Sequence, residues 1–278
     1  MKNEKILNIA FLLVLFSGCG SLSPTEKVSA QTENSDIPPK ETITTQVETR
    51  DEQETIEENY DAKFIVKLLE TGEFHGDEVK AKSGETWLGL FKRGDDYFLS
   101  STKIKVETVY DAIVDDEEKD KKTGKGVSVN GKNQSVFLLK NANFLKQGKV
   151  KTVFYGDREN SYEEMKITNQ TNKTFKLNDI TYNLFVTTDE EKEGWVNETS
   201  ELILTDGKTE QIIYPHSRCA DCSWSIYWAG DLDGDGKLDL YFDLNEHYNV
   251  SQKRLFLSSQ AEKGKLVKEV ANFRIVGC

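Results

Sequence analysis

Short apolar or alternating runs recur along most of this chain, each brief, and they are separated by clusters of glycine, asparagine, aspartate and serine. The runs cover residues 64–69, 86–91, 136–139, 150–155, 182–186, 201–204, 211–214, 254–257 and 266–270. Alternation with period two places one face of each run in a core and the other toward solvent, which is the signature of a strand. Between the runs lie turn clusters such as Gly-Asp-Asp at 94–96 and Asn-Gly-Lys-Asn at 130–133. Helical periodicity is scarce. These features predict a mostly β, sandwich- or barrel-like antiparallel domain over residues 62–278, long enough to bury a core without staples. A polar segment at 157–164 is a candidate boundary if that region holds two smaller domains.

The nine residues DLDGDGKLD, from Asp231 to Asp239, place four carboxylates at alternating positions on a backbone that two glycines allow to curl. Calcium is a hard cation that takes six to eight oxygens. Asp231, Asp233, Asp235, the carbonyl of Lys237, and Asp239 would supply most of such a shell. Gly236 stands sixth, where the sharp turn requires it. Carboxylates this crowded repel one another unless a cation neutralises them. The opening matches the EF-hand pattern, but the twelfth position is Phe242 where an EF-hand places its bidentate Glu. The flanks are strand-like as well. Alternation over 223–228 puts Trp224, Ile226 and Trp228 on one face, and that over 238–244 does the same for Leu238, Leu240, Phe242 and Leu244.

A calcium loop held between strands and closed by an Asp at its ninth position resembles the cation-binding hairpins of FG-GAP repeats in integrin-like propellers. The match runs through Asp231, Asp233, Asp235, Lys237 by its carbonyl, and Asp239. A single such unit is present, and a propeller needs several. The wider stretch GDLDGDGKLDLYFDLNEHYNV, with LFLSS and the terminal VGC, is similar to the C-terminal part of uncharacterised bacterial lipoproteins. That resemblance implies a shared fold and a shared cation site, and no substrate.

Lys2 and Lys5 precede an apolar run over 6–16 that ends in Ser17, Gly18 and Cys19. These are the three regions of a secretory signal, and the run is too short to span a bilayer stably. Small residues before a cysteine resemble the bacterial lipobox, which implies a signal peptide at 1–18 and lipidation of Cys19; Phe16 departs from the usual Leu. Cleavage without lipidation, giving a soluble product, is the alternative. A lipidated chain would sit in the cell envelope, held to a membrane leaflet at about 0.8 kcal/mol per buried methylene.

Residues 19–61 form the expected acidic, disordered linker. From Gly20 to Asp61 eleven acidic and three basic residues give a net charge of minus eight. The segment holds no Phe or Trp and too little apolar surface to offset its ordering entropy. With plus one from residues 1–19, minus five of the total minus twelve is left for residues 62–278. That part is only mildly acidic and carries no basic aromatic stripe, which argues against nucleic acid as a partner. The acidic stretch at 115–126 alternates carboxylates with lysines and reads as a solvated hairpin loop.

Cys219, Cys222 and Cys278 remain after Cys19. An exported compartment favours disulfides. Pairing Cys278 with Cys219 or Cys222 would close a loop around the acidic hairpin and add on the order of 4 kcal/mol, leaving one thiol over. The same cysteines with His216 also have zinc-ligand types. Thioredoxin-like chemistry is disfavoured, because a strand pattern rather than a helix follows Cys222. The three histidines, His75, His216 and His247, lie in no recognisable nucleophile motif. The expectation is therefore a calcium-binding, lipid-anchored envelope protein acting as a non-catalytic binding or envelope-maintenance module, with an envelope glycan or protein as ligand. The competing expectation is an envelope lipoprotein hydrolase with purely structural calcium.

Overall fold

The computed structural model describes residues 64–277, apart from 117–120, 131–134, 158–160 and 216–220. The expected signal peptide, Cys19 and linker lie outside the described residues, as do His216, Cys219 and Cys278. Sixteen strands follow one another along the described chain. They are β1 (Lys67–Leu69), β2 (Gly72–Phe74), β3 (Thr86–Arg93), β4 (Asp96–Val109), β5 (Gly124–Val129), β6 (Ser135–Lys140), β7 (Gly148–Tyr155), β8 (Lys166–Ile167), β9 (Asn172–Leu177), β10 (Ile180–Thr187), β11 (Glu201–Thr205), β12 (Glu210–Tyr214), β13 (Trp224–Asp231), β14 (Asp239–Leu244), β15 (Val250–Leu257) and β16 (Lys268–Val276). One helical turn, Tyr162–Met165, precedes β8.

All strand pairs are antiparallel. Twelve strands form a curled sheet whose main path runs β1-β6-β3-β4-β7-β13-β14-β15-β16. Its first strand comes to lie beside its last, so the sheet nearly closes into a barrel. The remaining four, ordered β12-β11-β10-β9, make a second sheet. The mostly β, antiparallel architecture expected from the alternating runs is therefore the one observed. Every described residue falls within one compact unit, and the polar segment at 157–164 joins strands of that unit.

Two apolar cores follow from this layering. Inside the curl, Leu90, Leu99, Phe137, Leu139, Trp228, Tyr241 and Leu255 pack together. Phe137 meets Tyr241 edge-on at 4.9 Å and Trp228 at 6.2 Å. Outside it, Leu240, Phe242 and Leu244 of β14 face Leu184, Leu202 and Leu204 of the second sheet. Because β14 is covered on both faces, every residue from Asp239 to Leu244 is buried, the two aspartates included.

One sequence expectation fails here. Trp224 and Ile226 face the outer core as predicted, but Trp228 points into the curl. The register of β13 on β14 shifts between Ile226, opposite Phe242, and Trp228, opposite Tyr241. Tyr227 is the extra residue of a β-bulge, and one extra residue moves everything after it to the other face.

Candidate metal centre

The acidic loop joins β13 to β14, with Asp231 ending one strand and Asp239 opening the other. Gly230 is paired with Asp239 across the hairpin. A side chain in place of its hydrogen would force its neighbours to shift: a Cβ there would lie 2.4 Å from the Lys151 carbonyl oxygen and 2.5 Å from the Trp228 ring. Inside the loop Gly234 (φ +78°) and Gly236 (φ +83°) adopt the left-handed conformation that lets it curl. The sixth-position glycine has the role its sequence position predicts.

The curl points backbone N–H groups at carboxylates. Asp231 accepts from Gly234 N at 2.9 Å through Oδ1 and from Gly236 N at 3.1 Å through Oδ2. Asp239, with no exposed surface, accepts four bonds. Leu232 N (2.7 Å) and Asp233 N (3.3 Å) reach its Oδ2, while Ser258 N (2.7 Å) and Ser258 Oγ (2.9 Å) reach its Oδ1. Asp233 accepts from Asp235 N and Ser259 N. Asp235 accepts from Lys237 N at 2.8 Å and from Ser258 Oγ at 3.0 Å. Ser258 has one hydroxyl hydrogen, so it serves one of its two carboxylate neighbours at a time.

Asp231, Asp233 and Asp239 each offer an oxygen, and the three oxygens lie within 4.8 Å of one another. Asp235, expected as a fourth carboxylate ligand, stands outside that group, its Oδ1 engaged with Ser258 and Lys237. Burial pushes the Asp231 carboxyl above its usual range, with Asp233 and Asp235 adding to the rise and the Gly234 and Gly236 N–H groups opposing it. Burial pushes Asp239 well above that range; the Asp233 charge adds to this, and the bonds from Ser258 and Leu232 oppose it. Among the described residues, no Lys, Arg or His side chain forms an ion pair within 4.0 Å with any of the four carboxylates. The amides thus offset part of the negative charge and leave a concentration of hard oxygen donors. That donor set fits calcium or magnesium and is foreign to a soft metal.

Sequence reasoning missed the groups that hold the loop from outside. Ser258 and Ser259 follow β15, and their only trace in the sequence is the polar Ser-Ser break after Leu-Phe-Leu. Asn178 sits in the β9–β10 turn with φ 55° and donates from Nδ2 to the Gly236 carbonyl at 2.8 Å. Its Oδ1 accepts from Lys151 Nζ of β7 at 2.7 Å. Three segments distant in sequence therefore meet at one hairpin.

Other predicted residues sort differently. Cys222 is buried, with its Sγ 3.9 Å from the Val196 carbonyl oxygen. Cys278, its expected partner, and Cys219, the alternative partner of Cys278, lie outside the described residues. His247 is bonded through Nδ1 to Asn249 and stacks on the exposed Tyr248 at 4.4 Å. The stretch 115–126 does join β4 to β5, but Asp115 is buried rather than solvated, accepting from Asp111 N, Thr123 N and Thr123 Oγ1. No family model, curated protein or solved structure matches this chain.

Proposed function

We propose that the chain is a calcium-binding, lipid-anchored protein of the bacterial cell envelope, acting as a non-catalytic module that binds an envelope glycan or protein or maintains the envelope. The observation that carries the calcium part is the convergence of Asp231, Asp233 and Asp239 oxygens within 4.8 Å, one of them on a carboxylate with no exposed surface. A divalent cation there would offset the burial, and the smaller mutual repulsion, that raise Asp231 and Asp239. The Lys237 carbonyl, Asp235 after a side-chain rotation, and water would supply the rest of the shell. Placement in the envelope rests on the sequence alone, through the Ser-Gly-Cys ending of the apolar run and the acidic linker behind it. Pairing of Cys278 with Cys219 or Cys222 belongs to the same reading.

Calorimetry on the full chain in detergent tests the metal. Calcium should bind one site with a dissociation constant of roughly 0.1 to 1 mM, the range of extracellular modules. Absence of calcium-dependent heat at millimolar concentration would sink the reading. Cys19→Ala should move the protein from the membrane to the soluble fraction, or stall signal processing. Should calcium bind without stabilising the fold, a catalytic or ligand-bridging role for the metal becomes the better account.

A further inference from the structure

A second cluster of charged groups lies apart from the acidic loop, where the turn after β2 meets the β4–β5 connection and the end of β16. His75 Nδ1 is 2.6 Å from Asp111 Oδ2, and Asp111 is buried while the His75 side chain keeps 21% of its surface exposed. The other Asp111 oxygen accepts from Ile113 N (3.1 Å) and Val114 N (3.4 Å), and the Asp111 N–H donates to Asp115. Asp111 is therefore fixed in place, and His75 closes onto it. On the same turn Glu78 accepts from His75 N at 3.0 Å through Oε2 and from Val276 N at 2.5 Å through Oε1. One carboxylate thus ties the histidine's own backbone to the last residue of β16.

The surrounding packing shows that the segments are joined face to face. Gly76 comes so near Thr123 that a Cβ would lie 2.1 Å from its carbonyl oxygen. Lys125 of β5 donates from Nζ to the Val79 carbonyl at 2.8 Å. Phe74 meets Phe273 of β16 edge-on at 5.3 Å.

We propose that His75 is a proton-operated latch: protonated, it clamps onto Asp111 and holds the 75–79 turn, and through Glu78 the end of β16, against the β4–β5 connection; neutral, it lets both loosen. A neutral imidazole can still donate to the Asp111 carboxylate, but protonation adds the attraction between the imidazolium and carboxylate charges to that bond. The charges that raise His75 are all negative: Asp77 and Glu78 stand on its own turn, and Asp111, with Asp115 behind it, on the β4–β5 connection. From β16 the Val276 N–H is taken up by Glu78. Lys125, from β5, is spent on Val79.

The titrations of these groups set the working range. The bond to Asp111 raises His75 above its ordinary 6.5, against burial, with the charges of Asp111, Glu78 and Asp77 adding. A raised histidine gives stability that is complete below 6.5 and is lost as pH rises through the folded value. Burial raises Glu78, so its contribution has the same sign. Asp111 is lowered, chiefly by His75, so its contribution is lost only as pH falls below 3.8. The latch is closed below pH 6.5 and slackens as pH rises through the raised folded value of His75.

The test uses nuclear magnetic resonance on the full chain in detergent, following the His75 ring and the Val276 amide. The His75 midpoint should lie above 6.5, and Val276 exchange, corrected for its intrinsic pH dependence, should quicken as that midpoint is passed. His75→Gln should abolish the step, and Asp111→Asn should bring the His75 midpoint down. Asp111 also organises its own turn, so a misfolded Asp111→Asn leaves the decision to the wild-type titration and His75→Gln. A wild-type midpoint at or below 6.5, or Val276 protection with the same pH dependence in wild type and His75→Gln, overturns the proposal.

Discussion

Replacing Asp239 by Asn changes one oxygen of a buried carboxylate into an amide nitrogen, and the structure indicates which way that amide will turn. Leu232 N and Asp233 N, which are donors only, need an oxygen at the Oδ2 position. The NH2 group therefore turns toward Ser258, whose hydroxyl can accept it and pass its own hydrogen to Asp235 3.0 Å away. Only the Ser258 N–H is left without an acceptor, at a cost of about 1–3 kcal/mol. Against that, the variant no longer buries a charge whose protonation equilibrium is shifted well upward. In chelator the two opposing effects should leave Asp239→Asn within about 2 kcal/mol of wild type. In calcium at ten times the dissociation constant, wild type gains RT ln 11, about 1.4 kcal/mol. For a domain of this size that is about 3–6 °C in melting temperature. The variant, having lost a ligand oxygen and a charge, should gain almost none of it.

The assay is a thermal melt of each protein with chelator and with excess calcium. Wild type should also show a pH dependence. Asp231 and Asp239 are raised in the folded state, so the folded protein holds more protons than the unfolded one above 3.8. Stability in chelator should therefore fall as pH rises through their folded values, and calcium should flatten that slope. An equal calcium shift in Asp239→Asn and wild type would refute the reasoning, because it would place the ion elsewhere.

Ser258→Ala removes a buried hydroxyl shared by Asp235 and Asp239 and should cost about 1–2 kcal/mol in denaturant melts; an unchanged midpoint would show that the hydroxyl adds nothing. Gly230→Ala should destabilise by about 1–3 kcal/mol through overpacking against Lys151 and Trp228, and a neutral result would show that β7 can move away. Lys253 has no exposed surface, bonds Asp243 at 3.0 Å and lies 3.9 Å from the Tyr227 ring centroid. Lys253→Met should cost about 3–5 kcal/mol by leaving the Asp243 charge unneutralised, and adding Asp243→Asn should recover part of that loss. Strict additivity in that double-mutant cycle would argue against the pairing.

What the residues alone determined is whatever depends on local periodicity and local chemistry. Alternation at 86–91, 150–155 and 182–186 reports which side chains shun water, and these became β3, β7 and β10. The Asp-Gly spacing of 231–239 predicts a curled loop between strands, because positive φ at Gly234 and Gly236 is a property of those residues. The fourteen-residue β4 was not legible. It bends through two neighbourhoods, pairing β3 along one part and β5 along another, so its burial pattern is not a single alternation. Tertiary structure likewise decided that Trp228 faces the inner core, since a one-residue bulge is invisible until β13 meets β14. It also decided that Asp235 turns to Ser258, and that Asn178 and Ser258 hold the loop from 58 and 19 residues away in sequence from their partners Gly236 and Asp239. A hydrogen bond across that distance depends on which strands become neighbours, and alternation records only that a strand has a buried side, not what lies against it.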